Sequence, residues 1–482
     1  MNNDWICDYL RPRLKRNQPD NLSRQLYRQL QELIRTGRLP GNSSLPASRA
    51  LGKALSLGRN TVLAAYDQLI AEGYLESRHG SGTYVCDAFL AKPPAVSIPR
   101  PRQLSARGQH LVEYSRLPTG KLGAFVPGLP ELEQFPYRQW QQCLTRQQRQ
   151  SPLEWLHYQH GGGLPELRAI LSQYLYLTRS VRCSPEQLVI ASGAQSALGL
   201  LAQLLAEPGE IAWLEEPGYS GAQAAMRAGG LLCHPVGVDR HGLQIDPQAP
   251  APRLIYVTPS HQYPTGAVMS LERRLQLLAS ARQHDSWIIE DDYDSEFCYS
   301  ANPLAALQGL DQDNRVIYLG TFSKVMFPAM RLAYLVLPPE LVDPFRRCQA
   351  RLLGETSYLQ QAAVADFIER GYFARHIRNM RALYLRRQQL LRHALKQYLG
   401  DALPIAGGQA GMHLLATLPN GFDEWELQQA AAQQGLWLRP LARHFLNPPT
   451  SSGLVLGYAG IADQTILPSV QQLARLLGAR LK

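Results

Sequence analysis

Apolar residues recur with helical spacing along the first quarter of the chain. Intervals of three or four separate these residues in three segments that end near Gly37, Ser56 and Gly73. Ser48 is predicted to cap the second helix. Two strand-like runs follow and flank the turn His79-Gly80-Ser81-Gly82. Two short helices joined by a tight turn, with a hairpin behind them, predict a winged helix-turn-helix within residues 1–87.

The pattern changes twice beyond this region. Over residues 88–118 the periodicity is lost and prolines and arginines are frequent, which predicts an extended basic linker. Over residues 119–482 short apolar runs alternate with helical segments, which indicates an α/β domain. A small subdomain is expected at about residues 340–482. The predicted fold class is therefore multidomain, with an α+β winged helix-turn-helix followed by an α/β body.

Composition limits what these parts can do. Residues 1–120 contain 17 Lys and Arg against 9 Asp and Glu, whereas the remaining residues contain 32 against 30. This asymmetry indicates a polyanion such as DNA as the partner of the first unit alone. The seven cysteines are scattered singly, so neither disulfides nor a metal site are predicted. Without a long apolar run or a signal pattern, a cytoplasmic protein is expected.

The third predicted helix opens with side chains suited to DNA. Arg59 and Asn60 can make paired hydrogen bonds with guanine and adenine edges, and Thr61 can bond a phosphate. A preceding arginine can reach the DNA backbone, and the small wing tip can approach a groove. A solvated helix end in a protein-interaction module is the alternative. The candidate DNA-binding residues are Arg49, Arg59, Asn60, Thr61, His79 and Gly80.

A lysine at a strand end is the centre of the candidate chemistry in the body. Residues 316–319 are predicted to form a buried strand that ends at Gly320, and Ser323, Lys324 and Arg331 follow. Hydroxyls and an arginine suit a phosphate, and the amine can form a Schiff base with a carbonyl cofactor. A solvated lysine with no such role is the ordinary alternative.

Other strand ends carry groups that fit the same planar, phosphorylated cofactor. A small-residue turn before a helix leaves backbone N–H groups free for a phosphate. A tyrosine can stack on a ring, a carboxylate can keep a pyridine nitrogen protonated, and a phenol can bond a ring oxygen. Plain turns and helix caps are the alternatives. These candidates are Gly193, Ala194, Gln195, Tyr219, one of the carboxylates Glu290, Asp291, Asp292 and Asp294, and Tyr293.

Together these motifs resemble two known families. Leu45-Pro-x-x-Arg49, Gly58-Arg-Asn-Thr-Val62 and Gly80-Ser-Gly-Thr-Tyr-Val85 resemble the GntR-type winged helix of bacterial regulators, over roughly residues 21–87. The body resembles the fold-type I aminotransferases, which use pyridoxal phosphate. The combination is similar to the MocR-type transcription regulators.

The resemblance implies a role for each candidate in the body. Lys324 corresponds to the Schiff-base lysine, Asp291 to the partner of the pyridine nitrogen and Tyr293 to the tyrosine at O3′. The phosphate cup, the stacking position and a tyrosine lent across a dimer fall on Gly193, Ala194, Gln195, Ser323 and Arg331, on Tyr219, and on Tyr158, respectively. The implied assembly is a homodimer in which each winged helix lies over the partner's large domain.

One departure from the aminotransferase pattern affects the predicted function. Val455 occupies the place of the arginine that holds the substrate carboxylate, and Arg439 or Arg443 could substitute for it. Tyr263 replaces an asparagine that is common before Pro-Thr-Gly. Because turnover needs a fixed substrate, we favour a DNA-binding transcription regulator that senses pyridoxal phosphate, an amino acid or an amine through an aldimine. An active aminotransferase with an appended DNA-binding domain is the alternative.

Overall fold

The computed structural model describes residues 4–16, 19–87, 104–105, 107–109, 112, 123–159, 161–299, 305–419 and 422–478. The chain divides into two compact units, residues 1–103 and 104–482. Most of the predicted linker, including residues 88–103, lies outside the described residues. Its extended form and the proposed domain boundaries therefore stay predictions.

The first unit contains three main helices and a hairpin, with one further helix at its start. Its elements are α1 (Asp4–Leu10), α2 (Leu22–Arg35), α3 (Ser48–Leu55), α4 (Arg59–Ala71), β1 (Leu75–Arg78) and β2 (Gly82–Val85). Leu26, Leu30, Val62 and Leu69 are fully buried in its core, as their helical spacing predicts. The winged helix-turn-helix prediction is confirmed.

Two local predictions in this unit need correction. Ser48 is the first residue of α3, and the capping position is Ala47, whose side chain makes no capping bond. The periodicity analysis also did not predict α1. Ile6 and Leu10 on this helix are fully buried in the core of the unit. Two buried positions in seven residues are too few to reveal a helical period.

The second unit is built on a mixed sheet of eight strands with helices on both faces. Its helices are α5 (Tyr137–Gln150), α6 (Pro165–Arg179), α7 (Ala194–Leu205), α8 (Ser220–Ala228), α9 (Leu271–His284), α10 (Leu307–Leu310), α11 (Phe322–Val325), α12 (Pro339–Leu352), α13 (Tyr358–Glu369), α14 (Tyr372–Leu399), α15 (Glu424–Gln433) and α16 (Asp463–Gly478). The strands of the large sheet are β3 (Leu188–Ala191), β4 (Ile211–Glu216), β5 (Leu232–Asp239), β6 (Gly242–Leu243), β7 (Leu254–Val257), β8 (Trp287–Asp292), β9 (Val316–Thr321) and β10 (Ala333–Val336).

The strand order brings several strand ends together. It runs β3-β10-β9-β8-β7-β4-β5-β6, and the neighbours from β9 to β5 are parallel. Alternate residues face opposite sides: Val189 packs with α7 and α8, whereas Ile190 belongs to the core beneath α6 and α13. The carboxyl ends of β4, β7, β8 and β9 therefore share one edge, where open α/β sheets bind ligands.

Gly320 does not end its strand as predicted. β9 continues through Gly320 to Thr321, and α11 begins at Phe322. A Cβ at Gly320 would lie 2.3 Å from Cζ of Tyr334 on the neighbouring strand β10. The glycine thus leaves space for the Tyr334 ring. Because this contact joins two neighbouring strands, the residues next to Gly320 in the sequence do not reveal it.

A second, antiparallel sheet lies towards the carboxyl terminus of this unit. Its strands are β11 (Ile405–Ala406), β12 (His413–Leu418), β13 (Arg439–Pro440) and β14 (Ser452–Gly457), in the order β11-β12-β14-β13. All seven cysteines lie among the described residues and are free thiols. None of the described helices is both long and apolar enough to cross a bilayer.

Candidate cofactor pocket and DNA-binding surface

A cavity of about 260 Å³ opens at the carboxyl edge of the large sheet. Nine of the ten residues predicted for the cofactor line it: Gly193, Ala194, Gln195, Tyr219, Asp291, Tyr293, Ser323, Lys324 and Arg331. Tyr158 is not among the lining residues, and its side chain is 86% exposed. The sheet therefore brings together groups that are spread over about 140 positions of the sequence.

Lys324 presents its amine to this cavity from α11. Its Nζ donates a hydrogen bond to the backbone carbonyl of Gly128 at 2.9 Å. Gly128 has φ +70°, and a Cβ there would lie 2.7 Å from Nζ, so glycine permits the approach. Burial lowers the pKa of Lys324 to about 8, and the Arg439 charge acts in the same direction. An appreciable fraction of the amine is thus neutral and nucleophilic near neutral pH.

Asp291 offers one free acceptor in a buried place. Its Oδ2 accepts a hydrogen bond from the Tyr256 hydroxyl at 2.7 Å, whereas Oδ1 is buried with no partner among the described residues. Burial raises the pKa of Asp291 to about 7. A protonated ring nitrogen would satisfy Oδ1 and would favour the ionised carboxylate. This unsatisfied oxygen fits the pyridine nitrogen of pyridoxal phosphate.

The opposite wall suits a phosphate group. Helix α7 begins after Gly193, which has φ +105°, and no side chain caps its first N–H groups. The Arg331 guanidinium lies against the glycine, since a Cβ there would be 3.3 Å from its Cζ. Ser323 adds a hydroxyl from the start of α11. Free helix N–H groups, a cation and a hydroxyl are the donors that phosphates commonly bind.

Four tyrosines, among them Tyr256, line the pocket, and the other three pack edge to face. The rings of Tyr219 and Tyr263 meet edge to face at 6.0 Å between centroids, and those of Tyr263 and Tyr293 do so at 6.1 Å. Gly221 lies against Tyr219, because a Cβ at this glycine would be 2.3 Å from the ring. This packing fixes the rings in positions where they could contact a flat cofactor.

Sequence reasoning missed a buried cluster below these tyrosines. His261, Asp294 and His413 each place one potential ligand atom within 4.8 Å of the others. Burial raises the pKa of the Asp294 carboxyl and holds the pKa of His413 well below its usual range. His413 Nε2 lies 3.1 Å from the Pro264 carbonyl oxygen. His261 lies in the segment Thr258 to Gly266, which follows strand β7. Its partners Asp294 and His413 come from elements distant in the sequence.

The two candidate replacements for the carboxylate-binding arginine differ in position. Arg439 lines the cavity and donates from Nη1 to the Tyr263 hydroxyl at 3.0 Å. It lies directly opposite Val455 in the pairing of β13 with β14, and Val455 is fully buried. Arg443 is not among the lining residues, and its guanidinium lies 5.3 Å from the Trp425 ring centroid.

A separate group of residues forms the candidate DNA-binding surface of the first unit. Arg59 and Asn60 are exposed in the first turn of α4, beside the half-buried Thr61. Arg49 is exposed in the first turn of α3. No salt bridge within the described part of the unit joins Arg49 or Arg59 to a carboxylate, so their charges are available to a polyanion.

The wing tip is also accessible. His79 and Gly80 are both exposed in the turn between β1 and β2. Gly80 has φ +73°, a left-handed conformation that glycine adopts without strain. The six predicted DNA-binding residues thus occupy the starts of two helices and a hairpin tip, and their DNA contacts stay a prediction.

Comparisons with known proteins give matches for both units. Residues 22–85 match the family "Bacterial regulatory proteins, gntR family", and residues 134–453 match "Aminotransferase class I and II". The probable rhizopine catabolism regulatory protein MocR of Rhizobium meliloti is 42% identical over 94% of this chain and 93% of its own. The pyridoxine biosynthesis regulator PdxR of Corynebacterium glutamicum is 30% identical over 94% of this chain and 95% of its own.

Solved structures match the second unit. The α-aminoadipate aminotransferase LysN of Thermus thermophilus was solved in complex with N-(5'-phosphopyridoxyl)-L-leucine. It has a TM-score of 0.69 and 28% identity, over 78% of this chain and 95% of that protein. The body therefore has the fold of an aminotransferase that was solved with a phosphopyridoxyl compound bound.

Proposed function

This chain belongs to the MocR-type transcription regulators, in which a GntR-type winged helix precedes an aminotransferase-like body, and we propose that its body binds pyridoxal phosphate as a sensing group. The chain is a DNA-binding transcription regulator rather than an aminotransferase alone. The observation that carries the proposal is the unsatisfied Oδ1 of Asp291 in the cavity that also contains the Lys324 amine.

Different residues of the pocket bind different parts of the cofactor. When bound, pyridoxal phosphate supplies a carbonyl that reacts with amines and a ring that withdraws electrons. Lys324 offers the nucleophilic amine, and Asp291 accepts a hydrogen bond from the ring nitrogen. The N-terminus of α7, with Ser323 and Arg331, holds the phosphate through N–H and hydroxyl donors. Tyr219 and Tyr293 contact the ring.

We infer that the effector is either the cofactor itself or an amino acid or amine that reacts with it. Arg439 supports an effector with an anionic group, because its guanidinium lines the cavity within hydrogen-bond distance of Tyr263. Arg439 also pairs with Val455, the position at which the aminotransferase pattern has its carboxylate-binding arginine. A carboxylate bound to Arg439 would fix the effector in one orientation.

The assembly that we propose is a homodimer. Leu153 and Leu156 are 81% and 82% exposed, and Tyr158 follows them in the sequence. Exposed apolar side chains close together commonly mark an interface. In the dimer, the leucines are covered and Tyr158 reaches the phosphate of the partner. Sedimentation of a Leu156→Asp variant tests this step, since an unchanged dimer would contradict the assigned surface.

An active aminotransferase with an appended DNA-binding domain is the second candidate, because the pocket contains both the lysine and the carboxylate that such chemistry uses. The two candidates differ in what the effector does. A sensor changes its DNA affinity when the effector binds, whereas an enzyme converts it repeatedly. Multiple turnover of an amino acid with a keto acid would favour the enzyme.

The deciding experiment is DNA footprinting upstream of the protein's own gene and its neighbours. The footprint should be measured with the cofactor-free protein, with pyridoxal phosphate, and with pyridoxal phosphate plus candidate amines. We expect the protected region or the protein concentration needed for protection to change with the cofactor or the amine. A footprint that is identical in all three conditions would contradict the sensing role and leave DNA binding intact.

A further inference from the structure

Residues 4–16, before the recognised winged-helix motifs, are part of the folded first unit. Ile6 and Leu10 of α1 are fully buried, and the helix packs on α3. The side-chain amide of Gln25 binds both the N–H and the carbonyl group of Lys15. Its Oε1 accepts from the Lys15 N–H and its Nε2 donates to the Lys15 carbonyl oxygen, each at 2.9 Å. The segment is therefore fixed on the unit.

Two arginines of this segment reach the turn of the helix-turn-helix. Arg11 Nη2 donates to the carbonyl oxygen of Ala54, and Arg16 Nη2 donates to that of Ser56, both at 3.1 Å. These carbonyls lie where α3 ends, and Ser56 has φ +54°. The first residue of α4, Arg59, follows three positions later. The arginines thus lie beside the start of the helix predicted to enter the DNA groove.

Both arginines keep donors for a further partner. A guanidinium has five N–H groups, and each carbonyl bond uses one nitrogen. Arg11 and Arg16 are exposed. Among the described residues, Arg16 has no carboxylate within salt-bridge distance, and Arg11 lies 3.8 Å from an exposed oxygen of Asp8. Such an exposed pair contributes little and can be exchanged for a stronger anion.

We propose that Arg11 and Arg16 form a second DNA-backbone contact beside the recognition helix. A helix-turn-helix places the start of its second helix in the major groove, where the phosphates that border the groove pass close to the turn. Arginines bind phosphate oxygens through paired N–H groups. These two side chains therefore extend the phosphate contacts beyond the residues of α3, α4 and the wing.

A purely structural role makes a different prediction. If the arginines only satisfy the last carbonyls of α3, a neutral amide at these positions would preserve DNA binding and its salt dependence. If they bind phosphates, the loss of positive charge reduces the number of counterions released on binding. Arg11→Gln and Arg16→Gln remove the charge and keep an N–H donor on a side chain that is two atoms shorter, so the melting temperature is measured beside the salt dependence to separate the two roles.

The test measures DNA affinity of the full chain against salt concentration. The probes are a labelled duplex from upstream of its own gene and a random duplex of equal length. Each glutamine variant should reduce the slope of log K against log salt by about 1 and weaken both duplexes roughly five- to tenfold at low salt. Arg24→Gln is the control, because Arg24 is also exposed but belongs to α2 rather than to the turn between α3 and α4.

An unchanged slope in the Arg11→Gln/Arg16→Gln double variant, with an unchanged melting temperature, would overturn the proposal. A second measurement needs no variant. Phenylglyoxal modifies accessible arginines of the unaltered protein, and mass spectrometry reports each site. Bound DNA should protect Arg11 and Arg16 and leave Arg24 reactive. Equal modification of Arg16 with and without DNA would contradict the contact, even if the variants failed to fold.

Discussion

His261 and Asp294 form a buried hydrogen-bonded pair at the cofactor pocket. His261 Nδ1 lies 3.1 Å from Asp294 Oδ2, and each side chain is 1% exposed. The Tyr293 hydroxyl lies 3.0 Å from the same Nδ1 and donates to the His261 carbonyl oxygen, also at 3.0 Å. The position of a pocket tyrosine is thus fixed by a histidine that a carboxylate orients. The Asp294 charge also raises the pKa of Lys324 against the lowering effect of burial.

Asp294→Asn should shift the pH dependence of the Lys324 amine. With a pKa of about 8, the neutral fraction, and hence the rate of reaction with pyridoxal phosphate, increases about tenfold from pH 7 to pH 9 and levels off. Removing the carboxylate charge should move the midpoint to lower pH. Stopped-flow absorbance of the cofactor-free protein measures both curves. Asp246→Asn, at an exposed position outside the pocket lining, is the control, and a shared midpoint would contradict the coupling.

Lys324→Ala should abolish the covalent attachment of pyridoxal phosphate. The wild-type protein mixed with the cofactor should show a visible absorbance band that borohydride bleaches, with the label on the peptide that contains Lys324. The variant should show neither the reducible band nor the label, because Lys324 is the one lysine among the described residues that lines the cavity. Lys396→Ala, at an exposed position on α14, should behave as wild type. A normal reducible band in the Lys324 variant would contradict the assignment.

Asp291→Asn should weaken pyridoxal phosphate binding by about thirtyfold. The carboxylate accepts a charge-assisted hydrogen bond from the ring nitrogen, and such a bond contributes about 2 kcal/mol. Asparagine preserves the shape and can still accept from Tyr256, so the fold should persist. Equilibrium dialysis gives the affinity, and a thermal melt checks the fold. Tyr256→Phe removes the other bond to Asp291 and leaves Oδ1 in place, so a larger effect in this control would overturn the role assigned to Oδ1.

The convergence of strand ends could be predicted because it follows from local patterns. Buried runs that end in polar residues identify parallel strands, and parallel strands share a carboxyl edge, so Asp291 and Lys324 were expected to meet. Relationships between distant strands were not accessible in this way. The placement of Arg439 opposite Val455 requires the order β14-β13, and the need for Gly320 requires Tyr334 on β10. Neither contact involves residues that are adjacent in the sequence, so a local pattern could not predict it.

Arg59→Ala should reduce the preference of the protein for its own operator. Arg59 is exposed at the start of α4, from which a paired hydrogen bond to a guanine edge contributes about 1–3 kcal/mol of discrimination. Operator affinity should therefore decrease about five- to 150-fold, with a much smaller change for a random duplex. Arg49→Ala is the matched comparison, since a phosphate contact from α3 should weaken both duplexes alike. Fluorescence anisotropy titrations of the wild type and both variants at one fixed salt concentration give the six affinities. Equal losses on both duplexes for Arg59→Ala would place this residue on the DNA backbone rather than on a base.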